Sequence, residues 1–572
     1  MRYWYFLCLF ILACSNKSEP LAPIAEQPDF TRDSAHTYGV MGDSAMVVSA
    51  HHIASEVGAR ILQQGGNAVD AAIAVQFALA VVYPNAGNIG GGGFMVIRMQ
   101  NGEMNSLDFR EKAPAAATRD MYIDEKTGEV DRNKIESTQL ASGVPGSVDG
   151  MWEAHKKYGS LPWKDLIQPA IDIAFTGFPL TDMQAADLNR LQKEFKKVNG
   201  KKPYFIGTWN AGDTMQQADL GYTLEAIRDK GRDGFYTGSV AEKIVHEMQT
   251  HNGIISMDDL AAYHSVWRTP LTGNYRGYTI ISMPPPSSGG VALIQLLNMV
   301  EHFPLSEWGF QSPYAMTCMA ESEKRVYADR ASWLGDPDYF QVPVDTLISK
   351  GYAALRIADI DSVRMTPSAQ IQAGTFSMHE SDETTHFSIV DASGNAVAVT
   401  TTLNNSYGSR IVVAGCGFLL NNEMDDFSAK PGSPNLYGLI GGEANAIAPG
   451  KRMLSSMTPT IVLHNDSLFM VVGTPGGSTI ITGVFQTIVN VIDFGMTMQE
   501  SVNAPRFHHQ WLPDELRVEN GVDSTSIAAL EFRRYRVLTK GPMCRVDAIL
   551  VYPGGYLEGA ADPRGDDAAV GW

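Results

Sequence analysis

The segment Glu383-Thr384-Thr385-His386-Phe387-Ser388 lies where a polar stretch gives way to a β-forming one, and its threonines are the first candidates for chemistry. A threonine hydroxyl is a weak nucleophile unless a base stands beside it. A threonine at a chain start brings its own base, because a free α-amino group titrates at about pH 8. Such chemistry requires the peptide bond before Thr384 to be cut first. On residue types alone, Thr384-Thr385 is simply two β-formers opening a strand, so the segment needs support from elsewhere.

Other chemistries find less. His246-Glu247 and His251 superficially resemble a zinc-protease helix, but that motif needs histidines four apart, and a spacing of five turns them roughly 140° away from each other. They read as an exposed helix end. No G-x-S-x-G elbow and no G-x-x-x-x-G-K-[ST] loop occurs anywhere in the chain. The run Gly87-Asn88-Ile89-Gly90-Gly91-Gly92-Gly93 precedes a strand, whereas a dinucleotide fingerprint follows one and opens a helix. The five cysteines, Cys8, Cys14, Cys318, Cys416 and Cys544, form neither a disulfide framework nor a metal cluster, and the last three read as free, buried thiols. Asp and Glu outnumber Lys and Arg by 63 to 44, a net charge of −19 that argues against binding nucleic acid through phosphate contacts.

The elements that must position a nucleophile are legible in outline. Helical periodicity over 50–64 stops at Gly65-Gly66, and Asn67 caps a second helix over 68–82, apolar nearly all round and hence buried. Strands are expected at 94–98 and 106–109. A helix-rich middle covers about 138–348 and includes Pro284-Pro285-Pro286-Ser287-Ser288-Gly289-Gly290. Residues 349–383, polar and weakly periodic, read as a long surface connection. Strands follow at 386–390, 396–401, 418–420, 460–464 and 468–472, then a helix at 480–494 and a strand at 548–552. At the N-terminus, Arg2 precedes an apolar run over 3–13, too short to span a bilayer and ending Ile11-Leu12-Ala13-Cys14. This is an export signal over 1–13 resembling a lipoprotein box, with Cys14 the lipidated residue and 14–31 a tether.

Several separated stretches, in order, resemble gamma-glutamyltranspeptidase: Gly65-Gly66-Asn67-Ala68-Val69-Asp70-Ala71-Ala72, the glycine run at Gly90, Asp108-Phe109-Arg110-Glu111, the 284–290 block and 383–388. Asn421-Asn422-Glu423-Met424-Asp425-Asp426-Phe427-Ser428, Leu454-Ser455-Ser456-Met457-Thr458-Pro459-Thr460 and Thr474-Pro475-Gly476-Gly477-Ser478 continue the series, which spans about 42–563. The resemblance implies an α+β fold, the four-layer αββα sandwich of N-terminal nucleophile hydrolases with a helix-rich large-subunit extension. It implies a precursor that cuts itself between Glu383 and Thr384 into a large subunit, 32–383, and a small one, 384–572, which stay together as a heterodimer. The activity implied is transfer of a γ-glutamyl group from glutathione or a related donor through a Thr384 ester to water, an amino acid or a dipeptide, with no metal or cofactor.

By the same resemblance Thr402 holds the Thr384 amine, and Gly476 and Gly477 turn backbone N–H groups toward the oxyanion. Arg110, with the hydroxyls of Ser455 and Ser456, is implied for the donor's α-carboxylate, and Glu423, Asp426 and Asn404 for its α-ammonium. Where bacterial members can carry glutamine, this chain has Glu423. Residues 431–442 match a lid loop whose Tyr437 meets the Asn404 position. The implied location is exported, periplasmic or membrane-anchored through Cys14 alone. Two alternatives stand beside this reading: a β-lactam side-chain acylase of the same fold, which the ammonium-binding set disfavours, and an envelope lipoprotein without catalysis.

Overall fold

Side-chain alternation along the central strands dictates the architecture. In Gly92–Arg98, Phe94 and Val96 point to one face while Met95 and Ile97 point to the other, and in Ala396–Thr402, Ala396 and Ala398 part from Val397 and Val399 in the same way. A strand sends successive residues to opposite faces, and with both faces apolar the sheet must be covered twice. The computed structural model describes residues 35–199, 204–372, 384–430 and 442–572, and in it that requirement is met by two seven-stranded sheets stacked between helical layers.

The first sheet runs Ala568–Gly571, Met46–Ser49, Thr385–Val390, Ala396–Thr402, Gly92–Arg98, Met104–Asp108, Val266–Arg268. The second runs Val40–Gly42, Leu557–Ala560, Asp547–Val551, Ser467–Gly473, Thr460–His464, Tyr278–Ser282, Leu271–Tyr275. All neighbouring strands in both are antiparallel. Met46, Val48, Phe94, Ile281, Ile461 and Ile549 fill the space between the sheets. His52–Gln63 and Ala68–Val82 cover the outer face of the first sheet, with Trp163–Thr176 packed on Ala68–Val82, and Gly289–Val300 and Thr479–Ile492 cover that of the second, with Pro313–Trp333 packed on Gly289–Val300. This is the expected αββα sandwich.

The helix Ala68–Val82 is buried along its whole length. It starts where its cap dictates: Asn67 Oδ1 accepts the N–H groups of Val69 and Asp70 at 2.9 and 3.0 Å, and Asp70 accepts the Asn67 N–H at 3.0 Å. The strand expected at 418–420 does not form. There the Leu420 backbone is spent on a loop, donating to Ile411 and accepting from Ser409, and Leu419 makes an isolated bridge to Val412. The surface connection expected over 349–383 is instead structured in its first part, with a helix at Lys350–Ile357 and a 3-10 turn at Ser368–Gln370. Trp511 Nε1 donates to the carbonyls of Ser368 and Ile371 at 3.0 and 3.1 Å and fastens that turn to the body. Cys318, Cys416 and Cys544 are free and buried. His246 is exposed and His251 caps the helix Gly238–Thr250; among the described residues no His, Cys, Asp and Glu group could hold a metal. The readings for residues 1–31, Glu383 and Tyr437 lie outside the described residues.

Candidate active site

Thr384 immediately precedes an inner strand, Thr385–Val390, whose register with Ala396–Thr402 pairs Thr385 with Thr401. One residue further along that antiparallel register, Thr384 meets Thr402. Thr402 is buried, and its hydroxyl accepts the Asn404 N–H at 2.8 Å. On its other side Thr402 pairs with Gly92, and Asn88 Nδ2 donates to the Thr402 carbonyl at 2.9 Å. The glycine run is explained here. A Cβ on Gly91 would lie 2.0 Å from the Thr402 carbonyl oxygen, and one on Gly92 would lie 2.6 Å from Glu111 Oε2.

Arg110 follows the strand Met104–Asp108 and is 1% exposed, so its charge must be answered by protein groups. Its Nη1 lies 2.7 Å from Glu423 Oε2 and 3.4 Å from Glu111 Oε2, while Nη2 contacts Asp426 Oδ2 and donates to the Leu454 carbonyl at 3.1 Å. Glu423–Asp426 is a single 3-10 turn, in which residues three apart eclipse, and that is why both carboxylates face the same guanidinium. The turn is held to the Thr402 segment by Asn404 Nδ2, which donates to the Asn422 carbonyl at 2.8 Å.

Three buried carboxyls thus surround one guanidinium. Burial pushes Glu111 up to about 7 and raises Glu423 and Asp426, with Arg110 opposing the shift in each case. Burial also works against the Arg110 charge, but the fields of Glu423, Glu111 and Asp426 outweigh it and leave the guanidinium more basic than usual. Asp426 Oδ1 and both Glu423 oxygens have no aligned hydrogen-bond donor among the described residues. Three carboxyls share one guanidinium, so burial keeps protons on the cluster that an arriving ammonium group would displace.

Ser455 and Ser456 are both buried on a loop held by the 284–290 block. Ser455 N–H donates to the Pro286 carbonyl at 3.1 Å, and its carbonyl accepts from the Ser288 N–H and hydroxyl at 2.6 and 2.7 Å. Beneath them Arg330, from the helix Pro313–Trp333, donates through Nε to Ser288 Oγ at 2.8 Å and through Nη2 to Ser456 Oγ at 3.3 Å. Residue types alone did not mark Arg330, Ser288 or Glu111 as site residues. Glu111 and Ser288 stood inside quoted motifs, and no local signal distinguished Arg330.

Gly476 and Gly477 have φ of +130° and +52° and lead into the helix Thr479–Ile492, where the Thr479 and Ile480 N–H groups donate to their carbonyls at 3.0 and 3.1 Å. Neither glycine N–H donates to another described residue. Two such N–H groups at the positive end of a helix suit a developing oxyanion. Thr384 and Gly476 open together onto a cavity of about 330 Å³ whose other walls include Tyr83, Asp187, Arg190 and Arg564.

A threonine at the head of an inner strand of an αββα sandwich, facing a glycine turn at a helix N-terminus, defines the class of N-terminal nucleophile hydrolases. Residues 54–572 match the family model of gamma-glutamyltranspeptidase. The chain is 48% identical over 567 residues to the glutathione hydrolase proenzyme of Escherichia coli K12, covering 98% of each chain. Among solved structures it resembles the cephalosporin acylase of Bacillus halodurans, with a TM-score of 0.83, 26% identity and coverage of 96% of this chain and 99% of that one. It also resembles the gamma-glutamyltranspeptidase of Helicobacter pylori, with a TM-score of 0.55 and 47% identity over 57% of this chain and 94% of that one. The chain belongs to the gamma-glutamyltranspeptidase family.

Proposed function

We propose that this chain cuts itself before Thr384 and then transfers γ-glutamyl groups, acting as a glutathione hydrolase when water is the acceptor and as a transferase when an amino acid or dipeptide is. In the first event Thr384 Oγ1 attacks the Glu383 carbonyl carbon. The C–N bond breaks as the ester forms, and water hydrolyses the ester to leave a free Thr384 amine and a Glu383 carboxylate. The products are a large subunit, 32–383, and a small subunit, 384–572, held as one heterodimer. The Helicobacter pylori chain, which matches along 94% of itself and 57% of this sequence, is in keeping with such a division.

In turnover the Thr384 amine takes the hydroxyl proton while Oγ1 attacks the donor's γ-carbonyl carbon. The N–H groups of Gly476 and Gly477 receive the oxyanion. Collapse breaks the amide C–N bond, the amine leaves with the proton, and a γ-glutamyl ester remains. The cavity shared by Thr384 and Gly476 gives that amine a way out and gives water or the acceptor amine a way in. Thr402 holds the Thr384 amine. The donor's α-carboxylate goes to Arg110, Ser455 and Ser456, and its α-ammonium to Glu423, Asp426 and Asn404, with Tyr437 closing over Asn404. Residues 1–13 direct export and Cys14 anchors the chain. No helix among the described residues is long and apolar enough to cross a membrane.

The observation that supports this reading is that Thr384 and Gly476 line one cavity, with Thr384 one residue before the strand pair Thr385–Thr401. The likeness to a cephalosporin acylase favours a second substrate class, glutaryl-type amides. Glu423 and Asp426, which meet Arg110 through Oε2 and Oδ2 and have no hydrogen-bond donor on Oε1 and Oδ1 among the described residues, speak for a donor with an ammonium, which a glutaryl group lacks. The test is intact-mass spectrometry with N-terminal sequencing, on the parent and Thr384→Ala, followed by matched γ-glutamyl and glutaryl anilides. Two chains, one beginning at Thr384, and turnover of the γ-glutamyl compound support the proposal. A parent that stays uncut, or a Thr384→Ala chain that splits and turns over, refutes it.

A further inference from the structure

The helix Pro313–Trp333 is packed behind the site, yet it sends polar side chains to both loops that the reaction uses. Arg330 reaches Ser288 Oγ and Ser456 Oγ at 2.8 and 3.3 Å. Tyr327, three residues earlier and so on the same side of the helix, donates from its hydroxyl to the Ser478 carbonyl. Ser478 is the residue after Gly477 and the N-cap of Thr479–Ile492, and its hydroxyl is held in turn by Gln510 Oε1 at 3.0 Å. One turn of one helix therefore touches the serine loop and the glycine turn together.

We propose that Arg330 and Tyr327 are positioning residues for the two halves of the reaction, Arg330 for donor binding through Ser456 and Tyr327 for oxyanion stabilisation through Ser478. This rests on the donor-site reading above. A serine hydroxyl has one hydrogen to give and lone pairs to receive. With an Arg330 N–H on Ser456 Oγ, the hydroxyl meets an arriving carboxylate as a donor, and a buried positive charge stands behind it. The second arm reaches the loop through its backbone, since Arg330 Nε donates to Ser288 Oγ, whose own hydrogen goes to the Ser455 carbonyl at 2.7 Å. One guanidinium is thus tied to Ser456 by its hydroxyl and to Ser455 by its carbonyl. Arg330 is 2% exposed; burial lowers it to about 10, against the fields of Tyr327 and Asp426, so it stays cationic at neutral pH. Tyr327 pins the carbonyl of Ser478, the residue next after the two glycines, and so anchors the end of the turn that carries their N–H groups.

Because the two residues share a helix turn, a general loosening of that helix would affect binding and chemistry alike, whereas the proposal separates them. The experiment measures KM and kcat for a γ-glutamyl anilide with Arg330→Met, Arg330→Lys, Tyr327→Phe, Ser456→Ala and the Arg330→Met/Ser456→Ala double variant, self-cleavage serving as the check on folding. Arg330→Met is expected to raise KM about tenfold to a hundredfold with kcat within about threefold of the parent. Arg330→Lys, which keeps the charge without the fork, should recover part of that rise. The double variant should bind little worse than the worse single one. Tyr327→Phe should lower kcat about tenfold and leave KM in place.

A raised KM in Ser456→Ala with an unchanged KM in Arg330→Met overturns the proposal while sparing the donor-site reading. An unchanged KM in Ser456→Ala removes that reading and the proposal with it. If Arg330→Met does not split, Arg330→Lys decides: a KM equal to the parent's overturns the assignment, and a raised KM with kcat retained supports it. Equal losses in KM and kcat from Arg330→Lys and Tyr327→Phe would mark both as structural and overturn the proposal.

Discussion

Replacing Glu423 by glutamine tests the electrostatics of the site without changing its shape. Glu423 Oε2 lies 2.7 Å from Arg110 Nη1, in a cluster that also holds Glu111 and Asp426. Burial raises the Glu423 carboxyl well above its ordinary value of 4.5, and Arg110 only partly opposes this. An acid with a raised value is neutral below it and charged above it, so at low pH the cluster holds a proton that an incoming α-ammonium must expel. Binding then releases one proton, and the parent's KM should fall as pH rises, by up to about tenfold per pH unit, until the cluster is ionised. Glutamine cannot ionise, so in Glu423→Gln this dependence flattens. Once the parent cluster is charged, the variant trades a charged hydrogen bond, about 1.5–3 kcal/mol, for a neutral one of about 0.5–1.5 kcal/mol. The difference of about 1–1.5 kcal/mol corresponds to a KM about five to ten times higher. The assay is initial-rate kinetics with one donor from pH 5.5 to 9. Taking the ratio of variant to parent cancels the Thr384 amine and the donor's own titration, which both proteins share. The ratio should climb with pH; a constant ratio across the range would show that Glu423 is not part of the ammonium site.

Three further outcomes are expected. Gly476→Ala would place a Cβ 2.5 Å from Thr479 Oγ1 and 2.8 Å from the Met543 carbonyl at a φ of +130°, and should cut kcat about a hundredfold with KM little changed, as steady-state kinetics on the split protein would reveal. Arg110→Ala strands three buried carboxyls, so donor KM should rise at least about a hundredfold and the denaturation midpoint should fall; an unaltered KM would exclude Arg110 from the donor site. Glu111 has a folded-state value of about 7 against an ordinary 4.5, which means the folded protein loses stability as pH climbs between those values and no more above them. Glu111→Gln removes that loss, so melting curves should find the variant gaining on the parent between pH 5 and 8, and a gap that narrows instead would contradict the assignment.

The sequence carried the frame of this fold where pattern and packing coincide. Asn67 and the apolar run behind it specify the buried helix Ala68–Val82, and short continuous apolar, β-forming runs at 94–98 and 396–401 specify strands close to the ones observed. The 418–420 segment failed because its apolar residues are buried in a loop, and burial without a partner strand makes no sheet. The site was legible only through its motifs. A lone arginine such as Arg110 has no local mark, and the Glu423–Asp426 turn acquires meaning from the guanidinium it faces, 316 residues away in sequence for the Asp426 pair. Arg330 was hidden for a different reason. The helix Pro313–Trp333 buries Glu321, Glu323, Lys324, Arg325, Asp329 and Arg330, a charge density that periodicity reads as a solvated face.

The strand order of the sheets bears on what the proposed cut before Thr384 would do. In the first sheet Met46–Ser49 sits between Ala568–Gly571 and Thr385–Val390, and in the second Val40–Gly42 and Tyr278–Ser282 flank four strands drawn from beyond residue 384. Neither fragment owns a whole sheet. The proposed cut would therefore be a nick in an interlaced fabric. The two pieces would have no dissociation constant of the ordinary kind, because parting them means unravelling both sheets. Dilution should not inactivate the enzyme, and pieces from two differently labelled preparations should not trade partners on mixing.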